Sequence, residues 1–304
     1  GNGNLSSAMV IDNPTKSYVI YGDLAGGGEA QYFAFPLNQG EELRLSLMVP
    51  NAGGSVPSMA IMGPGLNTSG GVPSFIEVPA GDGATVINGT RPTMPEYEPF
   101  TPSALYEVAS YSRQIEVPGT YYVAVYNATQ GGRYSLAIGY LEEYTVPEWL
   151  MVPYDVIGIH LWQGQSLLLI LSPLIFVLVV GAGFLVWRWQ RGSTAFTLFE
   201  WLASVAGLLY IGTGAMIFLQ IGIAFAETGP AFSAVLSVVF GLVPILLGVA
   251  ALYRALWARD TRPIRDRIYI AIIGVLGLFF WAGLLVGPAL ALIASILPNR
   301  FYMR

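Results

Sequence analysis

The chain has no cysteine, one histidine (His160) and one lysine (Lys16), and charged residues make up only 11% of its 304 positions. Without cysteine there is no disulfide framework and no thiolate-ligated zinc or iron–sulfur site. A single histidine excludes a bis-histidine haem. A His/Met pair would need Met216, Met151 or Met303, whose positions form no recognisable spacing. Zinc at His160 would require Asp155 or Glu148 and would still lack ligands. No GxSxG, Walker-type loop, HExxH or dinucleotide fingerprint is present. Gly26-Gly27-Gly28 precedes no helical pattern, so it reads as a turn rather than a phosphate cradle. No catalytic residue, cofactor or metal site is expected, and His160 remains the one residue with ligand chemistry. The opening Gly1-Asn2-Gly3, with no methionine or apolar leader, fits a mature chain from which a signal peptide has been removed.

What charge there is divides unevenly. Residues 1–160 hold five basic and fifteen acidic side chains, a net of −10, which disfavours nucleic acid. From Leu161 onward nine arginines face Glu200, Glu227, Asp260 and Asp266, a net of +5. The mean hydropathy of +0.58 is far above that of a soluble protein. An acidic domain in water followed by a basic-rimmed domain in lipid accounts for both asymmetries.

The first part, residues 1–144, reads as an all-β sandwich, jelly-roll-like, because short alternating runs are separated by Gly, Pro and Asn clusters. Strands are expected over Ser17–Tyr21, Ala30–Phe35, Glu42–Val49, Ser58–Met62, Arg113–Val117, Thr120–Tyr126 and Arg133–Tyr140. In LRLSLMV, Leu43, Leu45, Leu47 and Val49 share one face and Arg44 and Ser46 the other. Gly63 to Pro102 reads as a long excursion with turns and short edge strands. In the stretch that follows Gly119, the side chains of Tyr121, Val123 and Val125 alternate with those of Tyr122, Ala124 and Tyr126; one face should be core, and the other, richer in tyrosine, reads either as core packing or as a surface for a partner or sugar.

These residues resemble a known family. The Gly22-Asp23-Leu24 turn, the aromatic strand Tyr32, Phe33 and Phe35, the Gly40 turn before Leu43 and Leu45, and Gly119 to Val123 leading to Tyr134 and Leu136 look like the bacterial and archaeal pre-peptidase C-terminal domain. That resemblance covers roughly the first 140 residues and implies a small β-sandwich attached to secreted proteins. Members often carry acidic pairs before the aromatic strand, sometimes for calcium. Here Gly28-Glu29-Ala30-Gln31 stands in that place, leaving Asp12, Asp23 and Glu29 as oxygen donors, and solvated surface acids are the favoured reading.

Sequons at Asn4, Asn67, Asn88 and Asn127 take half of the eight asparagines in this domain, which points to surface glycans. With no cysteine and one lysine, the pattern suits an archaeal envelope.

An interfacial linker is expected over residues 145–165, with Trp149, Tyr154 and Trp162 at the outer boundary of a bilayer and His160 there as a hydrogen-bonding group. Four transmembrane helices are expected over 166–187, 196–225, 231–253 and 268–297, since the shortest stretch would reach about 33 Å against a ~30 Å hydrocarbon core. Trp187 and Trp189 anchor the inner boundary. Seven arginines in the loops at 188–195 and 254–267 place those loops in the cytoplasm, and the sandwich and a short tail, 298–304, outside. Pro244 and Pro288 are expected to kink their helices. Gly207, Gly212, Gly214 and the GxxxG pair Gly283 and Gly287 serve either close packing within the bundle or docking of other subunits.

The functional expectation is a non-enzymatic multi-pass protein of the cell membrane. It would be an accessory or anchoring subunit of a larger envelope complex, with lipid and protein partners. The alternatives are a sensor or transporter component with an external ligand-binding domain, and a redox membrane subunit using His160.

Overall fold

The computed structural model describes residues 1–50, 54–191, 196–257 and 263–298. The chain divides into two compact units: Gly1–Glu96 with Ala104–Thr145, and Tyr97–Ser103 with Val146–Arg304.

The first unit is a sandwich of two five-stranded sheets. One has the order β1 (Met9–Val10), β3 (Glu29–Leu37), β9 (Gly119–Asn127), β5 (Ser58–Gly63), β6 (Gly83–Ile87). The other runs β2 (Tyr18–Leu24), β10 (Gly132–Ile138), β4 (Glu42–Val49), β8 (Ser103–Gln114), β7 (Glu96–Glu98). The expected alternation of β4 holds: Leu43, Leu45, Leu47 and Val49 are buried while Arg44 is exposed. They meet Phe33, Phe35, Val123, Val125, Tyr134 and Leu136 in one core, which stands without any cross-link.

Two local readings change. Gly22-Asp23-Leu24 lies within β2 rather than in a turn, paired with Tyr134, Arg133 and Gly132 of β10, and the Tyr134 ring fills the space above Gly22. The strand expected at Arg113–Val117 lies upstream, as β8, and only Arg113 and Gln114 belong to it. A bulge opposite Leu47 and Met48 shifts the register of β8, so Val108 and Ala109 are both buried and its period-2 signal is broken. Ile115 is instead a buried loop anchor, its N–H donating to the Glu41 carbonyl (2.7 Å).

The second unit is helical: α1 (Val146–Trp162), α2 (Leu167–Arg191), α3 (Leu198–Thr228), α4 (Ala234–Leu256), α5 (Pro263–Phe279) and α6 (Val286–Ile296). Three of these, α2, α3 and α4, are long and apolar enough to cross a membrane. At 31 residues α3 would extend about 46 Å, so its ends project beyond a ~30 Å hydrocarbon core. It is the hub, packed by α2, α4 and α6. Tyr97 belongs to this unit too. Its ring lies 5.3 Å from that of Phe225, and its hydroxyl donates to Ser237 Oγ (2.9 Å).

The stretch read as one helix, Ile268 to Leu297, is broken. α5 and α6 are joined by Phe280–Trp281 and a 3-10 segment, Ala282–Leu285, and turn by 117°. Trp281, Leu284 and Leu285 have φ of 47°, 52° and 65°, a left-handed run that no α-helix contains. Pro288 does not make this break. It sits in the first turn of α6, where its missing N–H would have no intrahelical partner anyway. Pro244 does lie inside α4.

Candidate functional site

His160 stands at the end of α1, the helix that replaces the expected linker. It is buried rather than exposed, with Nδ1 3.1 Å from Gln163 Oε1. Burial holds its pKa below the ordinary imidazole value, against a smaller upward pull from Gln163, so the ring is neutral at pH 7. No group of three or more His, Cys, Asp or Glu that could hold a metal exists among the described residues. Glu29, one of the three oxygen candidates, accepts the N–H of Ala25 (3.1 Å).

On the sandwich, a shallow hollow on the outer face of β4 and β8 gathers polar groups. Glu42 Oε1 accepts from Ser112 Oγ (2.5 Å) and Arg44 Nη2 (3.2 Å), and Ser46 donates to Glu107 Oε2 (2.6 Å). The Ser112 bond first, and then Arg44, hold the Glu42 carboxyl below the usual carboxylate range. Arg44 also covers the ring of Tyr140 at 5.7 Å. The sequence contains the β4 half of this patch in its alternation. The β8 half was hidden by the bulge.

The four sequons separate into two kinds. Asn4, Asn67 and Asn88 are exposed. Asn127 is buried, and its Nδ2 donates to Ser55 Oγ (2.7 Å) and the Val56 carbonyl (3.0 Å), while Oδ1 accepts from the N–H groups of Thr129 and Gln130. The nitrogen a glycan would need is already used. Asn127→Ala should therefore lower sandwich stability by about 1–3 kcal/mol, through buried groups left unpaired, read from a thermal or urea unfolding midpoint.

The helix-packing residues lie inside the unit. A Cβ on Gly207 would come within 2.8 Å of the Gly248 carbonyl, and one on Gly214 within 2.5 Å of the Gly241 carbonyl, so α3 and α4 cross with their backbones nearly touching. Ala234, Gly241, Gly248 and Ala255 recur every seven residues, a readable signal for this seam that the GxxxG pattern does not capture. Gly212 packs against Leu174 of α2. Gly283 and Gly287, together with Gly277, make room for the Tyr210 ring, which a Cβ at these positions would meet at 3.1, 2.4 and 2.2 Å.

The aromatic anchors divide between the ends of the unit. Trp187 and Trp189, both exposed, close α2 beside Arg188 and Arg191, and Arg188 lies over Trp257 at 4.8 Å. Trp149, Tyr154 and Trp162 are on α1. Tyr154 donates to the Leu284 carbonyl (2.8 Å), and Trp149 accepts from Trp281 Nε1 through its own carbonyl (2.7 Å). Glu200 is buried at the start of α3 and forms a capping box with Thr197.

No protein-family model matches this chain, and neither does any curated protein. Function therefore has to be argued from the residues.

Proposed function

We propose that the chain is a non-enzymatic membrane anchor that presents the acidic sandwich outside the cell, as an accessory subunit of a larger envelope assembly. The observation that carries this reading is the chemistry of the spanning helices. Every charged residue of α2, α3 and α4 lies within about one turn of a helix end: Arg188, Arg191, Glu200, Glu227 and Arg254. A proton- or ion-coupled path would need ionisable groups at depth. The half-buried Gln165–Gln220 amide pair (2.7 and 2.8 Å) satisfies itself.

The arginines that close α2 and α4 support the proposed orientation, since the positive-inside rule favours such residues in the cytoplasm and, with it, the sandwich on the opposite side. Because the glycine faces are consumed inside the helical unit, partners are expected on the sandwich. The Glu42, Arg44 and Glu107 face is the polar surface available to them.

Gentle detergent extraction from native membranes, with mass spectrometry and an absorption spectrum of the eluate, tests the proposal. Stoichiometric partners and a colourless eluate are expected. A bare monomer would remove the accessory role, and a visible haem band would favour redox chemistry at His160. Peptide mapping should find glycans on Asn4, Asn67 and Asn88 and none on Asn127. A glycan on Asn127 would mean that its amide is not buried as described.

A further inference from the structure

We propose that α5 and α6 form a re-entrant hairpin. It enters and leaves the bilayer on the side of the arginine-rich loops, so the chain crosses three times and its C-terminus lies in the cytoplasm. Neither helix is long enough alone: 17 and 11 residues extend about 25 and 16 Å, short of a ~30 Å core. A bent but continuous crossing would carry the end of α6 away from the start of α5. The opposite is found.

Arg267, near the start of α5, donates through Nη2 to the carbonyl of Leu297, just past the end of α6. Midway, Leu292 packs against Gly274, where a Cβ would meet it at 2.9 Å. Ala291 and Ala294 of α6 belong to the buried cluster that runs from Leu185, Phe199, Ala255 and Leu256 to Tyr210 and Ala282 near the break. The arginine-bearing ends of the helices are fastened by two more arginines. Arg188 donates to the Leu256 carbonyl (2.6 Å), joining α2 to α4, and Arg254 pairs with Asp266 (2.7 Å), joining α4 to α5. The end of α6 therefore lies at the arginine-bearing ends of α2 and α4.

The tip of the hairpin has the polar support that a broken helix needs in an apolar medium, where each freed backbone group otherwise costs several kcal/mol. Gly283 N–H donates to Thr213 Oγ1 (2.9 Å), midway along α3, and the Leu284 carbonyl accepts from Tyr154. This assigns a use to Thr213 and Tyr154 that transport chemistry does not require. It also resolves a charge anomaly. With four crossings, Arg300 and Arg304 would stand outside; with three, all nine arginines after Leu161 share one side, as the positive-inside rule demands.

The inference rests on α2, α3 and α4 crossing the membrane, and the absence of native cysteine makes it directly testable in the full chain. Single cysteines are introduced as Gln190→Cys, Glu227→Cys, Asn299→Cys and Met303→Cys. Intact cells are treated with a membrane-impermeant maleimide, before and after permeabilisation. Asn299→Cys and Met303→Cys should behave as Gln190→Cys does, with labelling lost in intact cells and recovered after permeabilisation, while Glu227→Cys labels in both. If either C-terminal cysteine labels in intact cells with Glu227→Cys, the hairpin is overturned and α5–α6 is a bent crossing. If Gln190→Cys and Glu227→Cys label alike, α3 does not cross and the membrane reading itself fails.

Discussion

Replacing Tyr134 with alanine is expected to lower the unfolding free energy of the sandwich by about 3–5 kcal/mol, the range for removing a large ring from a close-packed core. Tyr134 has no solvent exposure. It stands on β10 of one sheet, and its hydroxyl donates to Gln31 Oε1 on β3 of the other (2.5 Å), so one side chain both fills the core and ties the two layers. Burial raises its pKa far beyond the ordinary phenol value, and it remains a neutral donor across the working pH range. Its ring also covers Gly22, where a Cβ would come within 2.4 Å of the Tyr134 Cζ. Gly22→Ala should therefore destabilise the native sandwich yet cost much less in the Tyr134→Ala background. That coupling is what a double-mutant cycle on thermal unfolding would measure. Additive effects would mean that the ring and the glycine do not meet. Tyr134→Phe removes only the hydroxyl and should cost about 1 kcal/mol beyond any strain.

Asp266→Ala should destabilise the helical unit by about 3–5 kcal/mol, because it leaves the Arg254 guanidinium in a poorly solvated place without its carboxylate. The pair is short, at 2.7 Å, and the side chains are only 18% and 2% exposed, so this is not a screened surface bridge of the kind that contributes little. Arg254 also lies over the Tyr269 ring at 5.5 Å. Arg254→Ala should cost a similar amount, and the double replacement by apolar residues of matching size should recover most of the loss. The measurement is the midpoint of denaturant unfolding in mixed micelles. A single substitution without effect would show that water reaches both charges. Because this pair fastens α5 to α4, the Asp266 variant should also make the hairpin more susceptible to protease added at the arginine-rich face.

Much of the architecture follows from the amino-acid string. The division into an acidic β unit and an apolar helical unit, the strand at Leu43–Val49 and the spans beginning near Ser166, Phe196 and Ala231 are local properties. Alternation records which side of a segment is buried, and a long apolar run records transfer into lipid, so neither needs the rest of the molecule. Absence of cysteine likewise excluded whole classes of chemistry before any fold was considered. What only the tertiary structure decided depends on distant partners. β8 was hidden because a bulge opposite β4 destroys its period. Asn127 satisfies the sequon pattern, but the Ser55 and Val56 groups that occupy its amide lie more than 70 residues away. Gly283 and Gly287 match an association motif, yet the group they accommodate is Tyr210 on α3. The break after Phe279 contains one residue suited to a left-handed backbone, Gly283 (φ 65°), but nothing in the sequence marks Trp281, Leu284 and Leu285 for the same conformation. It persists because Thr213, Tyr154 and Trp149, 70 to 132 residues distant, take up the backbone and indole groups of the turn. Hydropathy measures how strongly a segment prefers lipid but carries no direction, so whether the last apolar run crosses or returns depends on packing and hydrogen bonding, with the flanking arginines, rather than on its apolar character.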